Sequence, residues 1–165
     1  MTIRLAKILL LAGLAFYYSL VVFNNLFDFD SNYQFVRHVL LMDTTFPGNR
    51  GMGRAIHMPW AHLVFYLVII AWEICIALLA WWGAARLLRA RTAPAAQFNA
   101  AKSIGIVALT ASLLLWLVAF IAVGGEWFLM WQSATWNGQE TAFRNFAIAG
   151  IVLLLVAQAE TEVQP

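Results

Sequence analysis

Three stretches of this chain, residues 8–27, 63–85 and 103–125, each run for at least twenty residues with a single ionisable carboxylate, Glu73, among them. About 20 consecutive apolar residues carry a helix across the hydrocarbon core of a bilayer. A fourth run, 145–159, is shorter and can span if Arg144 and Gln158 snorkel at its ends. Only 11% of the 165 residues are charged and 63% are hydrophobic. A water-soluble domain of this size could not cover its surface with so few charges. The expectation is an all-α membrane protein: a four-transmembrane-helix bundle with two extracytoplasmic capping segments, forming one integral domain over 1–165.

The expected spans are about 6–27, 61–86, 100–123 and 143–160, with outer segments at 28–59 and 124–142 and a cytoplasmic loop at 87–99. Arg4 and Lys7 before the first run resemble a signal peptide, but the run is too long and lacks a small-x-small cleavage site, so it reads as an uncleaved span. Arg4, Lys7, Arg86, Arg89, Arg91 and Lys102 fall on one side. Arg37, Arg50, Arg54 and Arg144 fall on the other, mixed with Asp28, Asp30, Asp43, Glu126 and Glu140. The positive-inside rule then places both termini in the cytoplasm. Trp60, Trp127, Trp131 and Trp136 gather at the expected outer boundary and Trp81 and Trp82 near the inner one, whereas Trp72 and Trp116 lie at helix-packing depth. Dispersed basic residues at helix ends, despite a formal charge of +2, are a topology signal and not a nucleic-acid footprint. Cys75 is alone, which excludes an internal disulfide, and reads as a small buried hydrophobe.

Glu73 constrains function as the runs constrain fold. A carboxylate at mid-membrane is expensive, so it is paired, protonated or functional. Matching span midpoints at about 1.5 Å of rise per residue puts it level with Tyr17 or Tyr18 and with Ser112, its expected partners. One reading is a buried hydrogen bond to one of these. The other is a proton or cation site, or contact with a partner subunit's cation. His62 shares its azimuth but stands roughly 16 Å higher, and no polar ladder joins the two. His57 and His62, near Met42, Met52 and His38, are weak candidates for copper. Their spacing of five, with Pro59 between, does not aim two imidazoles together, so neither metal nor cofactor is expected. Small residues at spacing four (Ala15 and Ser19, Ala80 and Ala84, Ala101 and Gly105, Ala108 and Ser112) allow close helix approach.

The outer segments are richer. Asp30 or Ser31 can cap a helix to about Met42, with Val36, Val39 and Leu40 on one face. Residues 44–49 read as a turn, and a short interfacial helix is expected from Trp127 to about Trp136, ended by Asn137 and Gly138. In the inner loop Thr92 is the expected cap of a helix starting at Pro94. The tail 160–165 is too short to be a domain. FVRHVLLMDTTFPGN at 35–49, GGEWFLMWQS at 124–133 and WNGQ at 136–139 together resemble a bacterial family of predicted small integral membrane proteins with a domain of unknown function. The resemblance covers nearly the whole chain. It implies a four-span protein of the bacterial cytoplasmic membrane and supplies no activity, cofactor or site.

Arg37, His38, Asp43, Glu126, Trp131, Gln132, Trp136 and Asn137 mark these segments as a packed lid or a docking surface, with Arg37 expected to pair Asp43 or Glu126. No nucleophile–base pair, phosphate loop or paired carboxylate argues for an enzyme. The leading expectation is a non-catalytic accessory or interaction subunit of a membrane complex, whose partners are the lipid bilayer and other subunits or itself. Second is a small oligomeric proton-coupled transporter or channel using Glu73. Small drug-proton antiporters also have four spans and one essential glutamate, but theirs is not on the second span and their outer loops are short. A redox or metal-handling subunit is third.

Overall fold

A computed structural model describes residues 1–161; the last four residues of the tail lie outside the described residues. Among the described residues the fold is all-α, with four helices long and apolar enough to cross a membrane: Thr2–Phe27, Pro59–Arg89, Ala95–Trp127 and Gln139–Ala157. The first two are α1 and α3. Between them lies α2, Phe29–Leu41. The third begins as α4, Ala95–Ala101, continues as α5, Ser103–Leu114, and ends as a π-helical stretch, Leu115–Trp127; the fourth is α6. α1 packs along α3, α3 against α5, and α5 against α6. Within a bilayer no hydrophobic driving force joins such helices, so close packing and interhelical hydrogen bonds must.

Packing is tightest towards the end that carries the N-terminus, here called the terminal end. Gly83 of α3 and Gly105 of α5 touch backbone to backbone: a Cβ on Gly83 would lie 2.7 Å from the Gly105 Cα. Leu11 of α1 fills the space beside both glycines and is fully buried. Gly105 was among the small residues noted in the sequence; its partner Gly83 was not. Lys7 and Lys102 are buried here at 4% and 3% exposure. Lys7 Nζ donates to the Gln158 carbonyl at 2.8 Å and to Glu160 Oε1 at 3.0 Å, and Arg4 Nε donates to Glu160 Oε2 at 3.1 Å. These contacts tie the exit of α6 to the first turns of α1.

The opposite end carries α2, so it is called the α2 end. Asp28 separates α1 from α2, and Ser31 Oγ donates to its carboxylate at 3.0 Å. The helix therefore starts one or two residues before the expected caps, Asp30 and Ser31. Met42 ends α2 with φ 54°, a left-handed conformation uncommon outside glycine, and its carbonyl accepts from Thr45 Oγ1 at 2.8 Å. The return segment includes a 3-10 turn, Arg50–Arg54, opened by Asn49, whose side chain accepts from the Gly51 N–H at 2.7 Å. Pro59 then occupies the first position of α3, where its missing N–H is harmless.

Three local expectations are corrected. Trp127 ends the π-helical stretch instead of starting a helix to Trp136; only a 3-10 turn, Met130–Gln132, follows, and Gly138 precedes α6 instead of closing a helix. Pro94, not Thr92, is the residue before α4: its ψ is extended at 155°, outside the helical range. Cys75 is exposed on the apolar outer surface of α3, not buried, since the buried face there is set by Glu73, Ile76 and Ala77.

Candidate functional site

Glu73 is the one acidic side chain buried within the spans, at 2% exposure. Its Oε2 accepts from Asn25 Nδ2 at 2.6 Å, and Asn25 is itself buried at 8%. Tyr66 Oη donates to the Asn25 carbonyl at 2.9 Å, so α1 and α3 are cross-linked twice around this pair. The expected partners are corrected: Tyr17, Tyr18 and Ser112 do not bond Glu73. α1 and α3 run antiparallel with Trp81 Nε1 bonded to Ser19 Oγ at 3.1 Å, which sets Glu73 opposite Asn25. Midpoint matching fails because α3 has 31 residues against 26 in α1 and extends past it at the α2 end.

The carboxylate faces a cavity of about 310 Å³ lined by Asn25, Asn32, Tyr66, Glu73, Asn137 and Thr141 together with Phe35, Trp116 and Phe120. It extends from the buried Glu73 to Asn137 and Thr141, both exposed at the α2 end. Trp116 also lines a second cavity of about 300 Å³, which holds Tyr17, Tyr18, Ser112 and Asn145. There the three expected partners form their own network. Tyr18 Oη and Ser112 Oγ are 2.7 Å apart, Trp116 Nε1 donates to Tyr18 Oη at 2.8 Å, and Tyr17 Oη donates to Asn145 Oδ1 at 2.9 Å. The Trp116 indole therefore stands between a cavity with a carboxylate and one lined by hydroxyls and an amide.

The polar and aromatic residues of the two segments meet at the α2 end. His38 Nδ1 lies 2.7 Å from Asp43 Oδ2, and its ring stacks on Trp136 with centroids 4.8 Å apart. Gln132 Oε1 accepts from the Phe46 N–H at 3.1 Å, Thr44 Oγ1 donates to Ser133 Oγ at 2.8 Å, and Phe46 meets Trp131 edge to face. Arg37 pairs neither Asp43 nor Glu126. It donates to Gln34 Oε1 one turn back at 3.0 Å, because Asp43 is already held by His38 and Glu126 is exposed elsewhere. Asn137 Oδ1 accepts from the Gln139 N–H at 3.1 Å, at the entry of α6, while lining the Glu73 cavity.

His62 is buried at 2%, with Nε2 bonded at 2.7 Å to the Ile56 carbonyl, whereas His57 is exposed; the two are not brought together. Among the described residues no group of three or more His, Cys, Asp or Glu side chains could hold a metal ion. Asn25 was not among the expected site residues. Its signal was available: Asn24 and Asn25 are the only amides in an otherwise apolar first run. Neither a curated protein nor a solved structure matches the chain. A family model described as "predicted small integral membrane protein (DUF2165)", a family of unknown function, matches residues 3–159, and the chain belongs to that family.

Proposed function

We propose that this integral membrane protein is a small carrier or channel for a small organic cation, with Glu73 as the anionic site. The observation that carries the reading is the Glu73 cavity itself. A buried carboxylate shares about 310 Å³ with the aromatic rings of Phe35, Tyr66, Trp116 and Phe120, and amides lead from it to one face of the bundle. An ammonium group is recognised by such a combination, its charge balanced by the carboxylate and its alkyl groups set against ring faces. In a bilayer the site must stay neutral to be tolerable. It does so if Glu73 holds a proton when empty and releases it as the cation enters. Asn25 is a positioning residue, holding the carboxylate toward the cavity.

The test is proton release on binding. Purified protein in mild detergent and weak buffer receives tetramethylammonium chloride, and pH is followed. The expected result is saturable release of about one proton per chain, absent in Glu73→Gln and shifted to roughly tenfold higher cation concentration in Asn25→Ala, since one hydrogen bond to a charged group is worth about 1.5 kcal/mol. No release from the unaltered protein, or equal release from Glu73→Gln, refutes the reading.

A second reading is the accessory subunit. It is supported by the aromatic surface at the α2 end, where Trp127, Trp131 and Phe46 stay 55%, 44% and 56% exposed although the two segments are bonded to each other. Extraction in mild detergent with native-gel migration and mass spectrometry tests it: a stoichiometric partner lost on Trp131→Ala supports it, and a lone chain refutes it. In either case we place both termini on the cytoplasmic side of a bacterial inner membrane, on the strength of Arg4, Lys7, Arg86, Arg89, Arg91 and Lys102 at the terminal end.

A further inference from the structure

At the terminal end four cationic side chains, Arg4, Lys7, Arg91 and Lys102, surround one carboxylate, Glu160, among the described residues. Two of the four are almost fully buried: Lys7 is 4% exposed and Lys102 3%. Buried charges are ordinarily paired. Among the described residues Lys102 has no carboxylate within bonding distance, and it leans on the Gln158 carbonyl at 2.5 Å and Asn99 Oδ1 at 2.7 Å. Carbonyls at the end of α6 contribute about half a negative charge, so the described residues of the cluster together stay well short of neutral.

Beside this cluster lies an open pocket lined by Arg4, Arg91, Pro94 and Glu160. Arg4 spends Nε on Glu160 and Nη1 on the Arg91 and Ala93 carbonyls at 3.1 and 2.6 Å, and among the described residues its Nη2 has no partner. Among the described residues Arg91 spends only Nη1, on the Leu88 carbonyl at 3.2 Å. The pocket therefore offers guanidinium N–H groups backed by two buried ammonium charges, which is the chemistry that binds a phosphate oxygen.

We propose that this pocket binds the phosphodiester of an anionic phospholipid. Depth and surroundings favour a lipid over free phosphate. Arg4 lies in the first turn of a spanning helix and Arg91 lies two residues past the end of another, at headgroup level. Ile3 and Leu88 beside them expose apolar surface, at 61% and 46%, along which acyl chains can run. An anionic headgroup neutralises the excess charge, whereas a zwitterionic one brings no net charge. The site is separate from the Glu73 cavity and does not depend on its role.

The experiment is native mass spectrometry of the full chain released from nanodiscs of equal phosphatidylglycerol and phosphatidylcholine. The expected result is several-fold preferential retention of one phosphatidylglycerol, reduced toward parity in Arg91→Gln, where the side-chain bond lost is the local one to Leu88, and less reduced in Arg91→Lys. A thermal melt in detergent with added phosphatidylglycerol should show stabilisation that the same concentration of inorganic phosphate does not reproduce. Equal retention of both lipids, unchanged selectivity in Arg91→Gln, or equal stabilisation by inorganic phosphate would overturn the proposal.

Discussion

The two halves of the bundle solve opposite problems. Toward the terminal end, Gly83, Gly105 and Leu11 close the helices onto one another, and an ionic clasp of Arg4, Lys7 and Glu160 ties the first helix to the exit of the last. Toward the α2 end the Glu73 cavity lies between the helices, and contact is made by side chains: aromatic stacks, hydroxyls and one histidine–carboxylate pair. The lesson is that close backbone packing and the cavity that holds the carboxylate are kept in different halves. The tight half can hold the bundle together while the open half carries a buried carboxylate and its amide partner.

The contrast is broken most severely at the glycine contact. Gly83→Leu drives a side chain into the Gly105 backbone, which cannot move away as a flexible side chain could. Destabilisation should reach or exceed the top of the about 1–3 kcal/mol range for overpacking, measured as loss of monodisperse protein on size exclusion and of melting temperature. Gly124→Ala at the α2 end is the control, because its Cβ meets the Ala119 carbonyl only at 3.4 Å and should change little.

The clasp comes next. Lys7→Ala removes a partner of Glu160 and should cost up to about 3 kcal/mol, read by thermal melting. Burial alone would raise the Glu160 carboxyl, but hydrogen bonds from Lys7 and Arg4 outweigh it and hold it below the ordinary value. A carboxylate lowered on folding contributes stability that is complete above its unfolded pKa, about 4.3, and fades as pH falls through the folded value. Melting temperature should therefore decline below about pH 4, and Glu160→Gln should flatten that decline.

Smaller effects belong to the α2 end. Trp136→Ala removes the stack on His38 and the edge contact with Phe35 and should cost about 1 kcal/mol beyond lost packing. If it instead unfolds the protein as thoroughly as Gly83→Leu, the division into a tight half and an open half is wrong.

The spanning helices were legible because a bilayer demands long apolar runs, and Glu73 was legible because a charge there is costly. Its partner was not. Choosing Asn25 over Tyr18 requires the axial offset between α1 and α3, which the Gly83–Leu11 contact and the extra length of α3 determine. The faces of the third span were hidden for another reason. From Leu115 onward the helix is π-helical, so the 3.6-residue period that sorts faces in α5 no longer applies to Trp116 and Phe120, which line the cavity. At the α2 end the residue types were apparent, but Arg37 and His38 are adjacent, and only the fold decides which of them reaches Asp43.

The central claim is that Glu73 exchanges a proton for a cation through the cavity. Infrared difference spectroscopy on protein in lipid films tests it most directly, with the bath switched between buffer and tetramethylammonium at constant pH. The account predicts loss of a protonated carboxyl band and gain of carboxylate bands, both absent in Glu73→Gln and weakened in Asn25→Ala. A spectrum without carboxyl changes, or one that persists in Glu73→Gln, would contradict it and leave Glu73 as a buried structural hydrogen bond.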